Sequence, residues 1–115
     1  MNYRKYQFFG FLFLILLGSS IPSSSMPKFV IFTWDKIFHI IEYTIAGFLG
    51  YRAYHLDLKN PIIRVSTFCI IFCIIDEIWQ SMIPGRFPSH YDIIADVIGV
   101  IFGITICIFF INKTQ

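Results

Sequence analysis

Cys73-Ile74-Ile75-Asp76-Glu77-Ile78-Trp79-Gln80 sets two adjacent carboxylates and an amide at the end of a run apolar enough to lie in lipid. A charge near a bilayer core costs several kcal/mol unless it is paired or hydrated. Asp76, Glu77 and Gln80 therefore need partners or a use. Two other segments offer them: Asp35-Lys36-x-x-His39-x-x-Glu42-Tyr43 upstream and Asp92-x-x-x-Asp96 downstream. A histidine among carboxylates can move protons as a general acid or base. Carboxylates beside a cation can also bind a polar headgroup, and His39-x-x-Glu42 puts two potential metal ligands on adjacent helical turns. One histidine and scattered acids make a weak ligand set, so no metal and no cofactor are expected.

The chain that must position these groups has 115 residues, 57% hydrophobic and only 14% charged, with a mean hydropathy of +0.71. Soluble domains carry about 25% charged residues. The composition implies an integral membrane protein with a single domain spanning 1–115. The net charge of +2 comes from scattered basic residues. No basic patch forms, so nucleic acid is not an expected partner. Cys69, Cys73 and Cys107 lie in apolar runs without zinc spacing and read as small apolar residues.

Four helices are expected, at about 4–22, 35–54, 61–82 and 91–111, giving an all-α, four-helix transmembrane bundle. The first apolar run, Phe8 to Ile21, follows Arg4 and Lys5 as a signal peptide would. It lacks an A-x-A-like cleavage site, which favours an uncleaved helix. Ile21 to Trp34, with Pro22, Pro27 and three serines, reads as a loop, and Thr33 or Asp35 as the N-cap of the second helix. Asn60-Pro61 breaks the chain before the third helix. Pro84-Gly85-Arg86-Phe87-Pro88 makes a tight loop before the fourth, which Ser89 would cap with Asp92 three residues on. Arg4, Lys5, Arg52, Lys59, Arg64 and Lys113 fall on one side, and Lys28, Lys36 and Arg86 on the other. The positive-inside rule then places both termini in the cytoplasm.

On that topology the polar groups share one depth. His39 lies about 6 Å and Glu42 about 10 Å inside the outer start of the second helix, at 1.5 Å per residue. Asp76, Glu77 and Gln80 end the third helix, and Asp92 and Asp96 open the fourth. Asp35, His39, Glu42 and Ala46 form one stripe, with Tyr43 at its edge; Asp76 stacks on Gln80; Asp92, Asp96, Gly99 and Gly103 form another stripe. Polar stripes in lipid face one another, which predicts a polar pocket at the outer leaflet. Its floor would be packed by Gly99-x-x-x-Gly103, a close-approach motif for another helix. The predicted pocket residues are Asp35, Lys36, His39, Glu42, Tyr43, Asp76, Glu77, Gln80, Arg86, Asp92 and Asp96.

Each residue also has a plainer reading. Asp35 and Asp92 would stabilise helix N-termini, Lys36 would reach the interface, and Trp34 and Trp79 would sit in an aromatic belt. A structural polar network holding four helices together is the plain reading of the whole cluster. Ser81 and Ser89 lie near the mouth without a nucleophile-elbow motif.

Taken in order, Asp35-Lys36-x-x-His39-x-x-x-Tyr43, Asp76-Glu77-x-x-Gln80, Pro84-Gly85-Arg86 and Asp92-x-x-x-Asp96-x-x-Gly99 resemble the VanZ-like family of small bacterial membrane proteins. Ser19-Ser20-Ile21-Pro22 at the end of the first helix is similar too. The family commonly has Asn where this chain has Asp96, which adds an acid to the pocket. The resemblance implies a multi-pass cell-membrane protein and a link to low-level resistance to the glycopeptide teicoplanin or to another cell-envelope role. Its partners would be membrane lipids, and a lipid-linked cell-wall precursor or the glycopeptide itself. An intramembrane hydrolase or transferase acting on a lipid-linked substrate is the alternative reading, and an ion- or proton-coupled carrier a third. A carrier needs polar groups through both leaflets, whereas here they lie in one.

Overall fold

The computed structural model describes residues 3–19, 28–83 and 90–114, without the side chains of 19, 28–35, 90 and 114. The described residues form four α-helices and no strand: α1 (Tyr3–Ser19), α2 (Lys28–Tyr54), α3 (Pro61–Ser81) and α4 (His90–Thr114). Within them the only proline is Pro61, which stands in the first turn of α3, where its missing N–H is no loss. The Ile-rich runs of α3 and α4 have modest intrinsic helix preference, so their helicity depends on their apolar surroundings and packing.

The all-helical class agrees with the sequence, and one boundary needs correcting. α2 begins at Lys28, so residues 28–34, expected in a loop, are helical. The breakers that suggested a loop end at Pro27, and the apolar segment that follows has neither Gly nor Pro. Thr33 and Asp35 therefore lie inside α2 and do not cap it. The break after α2 is where it was expected. Asn60 adopts the left-handed conformation (φ 50°), one that asparagine tolerates, and Pro61 follows it.

The bundle measures 48 × 25 × 19 Å. α2 and α4 run in the same direction and pack most closely, while α3 crosses both and α1 lies along α2. Glycine makes the α2–α4 approach possible. A Cβ on Gly103 would overlap the Thr44 carbonyl oxygen. One on Gly99 would stand 2.6 Å from the Ile40 carbonyl oxygen, and one on Gly47 would stand 2.5 Å from that of Val100.

The buried stripes are Phe8, Leu12 and Ile15 on α1; Tyr43, Ala46 and Ala53 on α2; Val65, Cys69 and Cys73 on α3; and Val100, Ile104 and Cys107 on α4. The outward faces are apolar as well, with Phe13, Ile63, Ile75, Ile98, Phe102 and Phe109 all exposed. α4 is long and apolar enough to cross a membrane. α1 has 17 residues. α2 carries Asp35, Lys36, Glu42 and Arg52, and α3 carries Arg64, Asp76 and Glu77.

The two ends of the bundle differ. At one end, Lys5 Nζ reaches Asp57 at 2.8 Å and Arg52 donates to Gln7 Oε1 at 3.3 Å, tying α1 to α2 and to the turn that follows it. The opposite end holds the buried polar side chains His39, Asp76, Gln80, Asp92 and Asp96.

Candidate functional site

On each of three helices the buried stripe changes from small apolar residues to polar ones toward the same end. On α3 the sequence is Val65, Cys69, Cys73, Asp76, Gln80. On α4, Asp92 and Asp96 precede Val100 and Ile104, and on α2 His39 precedes Tyr43 and Ala46. Because α3 runs against α2 and α4, its C-terminal polar residues meet their N-terminal ones.

The contacts form a directed chain. His39 Nδ1 lies 2.6 Å from Asp96 Oδ1, so the imidazole donates to the carboxylate there. Gln80 Nε2 lies 3.1 Å from Asp76 Oδ2 and 3.5 Å from His39 Nε2. A side-chain amide nitrogen has two hydrogens, and the two neighbouring acceptors use both. That arrangement assigns His39 the tautomer with its proton on Nδ1 and its lone pair on Nε2. Tyr43 Oη donates to Asp76 Oδ2 at 3.3 Å, and its ring lies parallel to that of His39 with centroids 6.3 Å apart. Beside this chain, Lys36 Nζ pairs with Asp92 Oδ1. Asp92 is therefore more than a helix-end acid: it is fully buried and neutralised by a side chain from α2. Lys36 does not simply reach out to the interface, since its ammonium is mostly covered.

Asp96 Oδ2 is buried with no hydrogen-bond partner among the described residues. A buried oxygen of this kind is an acceptor to which a donor can be added.

The structure thus brings together Lys36, His39, Tyr43, Asp76, Gln80, Asp92 and Asp96. Glu77 is half-buried beside them on α3. Glu42 turns toward α1, where its Oε1 would be 3.9 Å from a Cβ on Gly18. The side chain of Asp35 and all of Arg86 lie outside the described residues, as does Ser89. Ser81 is exposed, and its hydroxyl donates to the Ile78 carbonyl at 2.6 Å, away from His39. Among the described residues no group of three or more His, Cys, Asp and Glu side chains is disposed to hold a metal ion.

Gly99 and Gly103 face the α2 backbone. Their counterparts on α2 are Thr44 and Gly47, whereas Gly50 faces Phe8 of α1 and Val65 of α3.

Chemically, the chain of contacts holds one imidazole oriented by a carboxylate, one carboxylate held by two donors and one neutralised ion pair. The VanZ/LLP1 family model matches residues 2–111. The chain belongs to the VanZ/LLP1 family. The match covers nearly its whole length, so the polar cluster and the glycine seam both lie within the family domain. Comparison with curated proteins and with solved structures gives no match.

Proposed function

We propose that this VanZ/LLP1 protein is a multi-pass protein of the bacterial cell membrane. It would cross the bilayer four times with both termini in the cytoplasm. Its polar end would act at the outer leaflet, on the headgroup of a lipid-linked cell-wall precursor or on an amphiphilic glycopeptide of the teicoplanin type. Apolar outer faces on all four helices support the membrane reading, because a soluble protein of this size exposes far smaller apolar patches. The segregation of basic residues at one end supports the orientation.

One observation carries the recognition reading: Asp96 Oδ2 is a buried acceptor with no hydrogen-bond partner among the described residues, while the other oxygen of the same carboxylate is held by His39. A sugar hydroxyl or an amine of the ligand is the kind of donor that completes it. Glu42, Glu77, Asp35 and Arg86 would line the approach.

The test is drug susceptibility in a glycopeptide-sensitive Gram-positive host. Wild type would be expressed beside Asp76→Asn, Glu42→Gln and Arg86→Ala at matched membrane levels. Tolerance to teicoplanin in the wild type, lost in Asp76→Asn, is the expected result. Tolerance unchanged across all variants, or absent from the wild type, would sink the reading.

The Asp96–His39 hydrogen bond favours a second reading, an intramembrane hydrolase or transferase acting on a lipid-linked substrate. A carboxylate that fixes Nδ1–H leaves Nε2 as the basic nitrogen. Turnover of such a substrate with a bell-shaped pH profile, lost in His39→Gln, would establish it.

A further inference from the structure

α1 and α3 run in the same direction and meet where Phe8 and Phe9 contact Phe68, and on either side of such contacts the seam opens to the outside as two apolar grooves. The larger, about 480 Å³, lies between Phe8 and Phe9 of α1 and Arg64, Phe68 and Ile71 of α3. The smaller, about 320 Å³, lies further along the same two helices, between Phe13 and Leu17 of α1 and Ile75 and Trp79 of α3. On α3 the lining positions 64, 67, 68, 71, 75 and 79 follow helical spacing and make one stripe. From Arg64 to Trp79 that stripe is about 22 Å long at 1.5 Å per residue. One leaflet of hydrocarbon is about 15 Å, half of a core roughly 30 Å thick. The seam is therefore long enough to take the acyl chain of one leaflet.

The charge at its mouth indicates the headgroup. Asp57, the acid of this end, is held by Lys5 at 2.8 Å. The Arg64 side chain is exposed and makes no hydrogen bond or ion pair among the described residues. Lys59 is exposed in the preceding turn. The start of α3 adds the positive end of a helix dipole beside them. An apolar groove long enough for an acyl chain, ending on two cations, is complementary to a lipid with net negative charge.

We propose that the α1–α3 seam holds an acyl chain of an anionic phospholipid whose phosphate rests on Arg64. This site is separate from the polar cluster at the other end, and it rests on the four-span reading.

The test is native mass spectrometry of the full chain released from bicelles of phosphatidylglycerol mixed equally with phosphatidylcholine. The expected result is one retained lipid per chain, with phosphatidylglycerol favoured at least tenfold. Arg64→Glu should abolish the preference and Arg64→Lys keep it. Thr67→Trp, which places an indole in the groove, should reduce retention of either lipid severalfold. Equal retention of the two lipids by the wild type would overturn the proposal without reference to any variant. So would an unchanged preference in Arg64→Glu, or a second copy of the chain in place of the lipid. Alkaline carbonate extraction of the same membranes separates the two readings. A chain that resists extraction but shows no lipid preference defeats the groove site alone, whereas a chain that is extracted defeats the four-span reading with it.

Discussion

His39 and Asp96, 57 residues apart in sequence, meet at 2.6 Å and join α2 to α4 in the interior of the bundle. Each is almost completely buried. The contact lies one turn from the position where Gly99 brings the two backbones together, so close backbone packing and polar pairing reinforce each other. Glycine lets the helices approach, and the approach brings a short imidazole within reach of a short carboxylate.

Removing either partner of that pair has unequal consequences. His39→Phe leaves the Asp96 carboxylate buried without its donor. Breaking a buried pair in this way costs about 3–5 kcal/mol. Asp96→Asn keeps an acceptor for Nδ1–H and removes a charge, and should cost about 1 kcal/mol or less. Unfolding in mixed micelles measures both. Equal losses would show that His39 and Asp96 do not act as a pair.

Lys36 and Asp92 offer a cleaner cycle. Lys36→Met should destabilise by about 3 kcal/mol, because Asp92 keeps its charge in the interior. The double variant Lys36→Met/Asp92→Leu should recover most of that loss, since apolar side chains of similar volume suit the same space. The same micelle unfolding reads a coupling energy of at least about 1 kcal/mol. Additive losses would mean that the two charges are solvated separately.

Glycines in this chain are not equivalent. Gly103→Ala forces a Cβ into the Thr44 carbonyl and must separate α2 from α4. Overpacking of this kind costs about 1–3 kcal/mol. Gly10 of α1 has nothing within 4 Å of an added Cβ. Gly10→Ala should therefore be neutral or stabilise by about 0.5–1 kcal/mol, through a better helix preference. The sign of each change is the readout.

A chain that crosses the bilayer four times separates its loops cleanly. Green fluorescent protein fused after Leu58 or Asn112 should fluoresce, and alkaline phosphatase fused after Gly85 should be active. Exchanging the reporters should silence both. Phosphatase activity after Leu58 would reverse the orientation inferred from Arg52, Lys59 and Arg64.

What was legible in the sequence is what local pattern determines. Uninterrupted apolar runs bounded by Asn60-Pro61 and by Pro84-Gly85 predict the number of helices, and period 3.6 predicts the polar stripes on their faces. The four motifs in order pointed to the family that matches residues 2–111. The start of α2 was misread because serines and prolines signal a loop without marking its last residue, and Phe29 to Trp34 suits helix as well as loop.

Partner choice was not legible. Spacing put Lys36, His39, Glu42 and Tyr43 toward the same end of the second helix. It could not show that Lys36 reaches Asp92, that His39 reaches Asp96, or that Glu42 turns to α1. Those outcomes depend on the rotation of each helix about its own axis and on the α2–α4 separation. Both are set by long-range contacts such as Gly103 on Thr44 and Gly47 on Val100. Sequence by itself determined which residues need polar partners, because the cost of burying a charge is a property of residue type. Only the tertiary structure decided which of them pair, because a hydrogen bond is made over about 3 Å and helical periodicity fixes a face, not a neighbour.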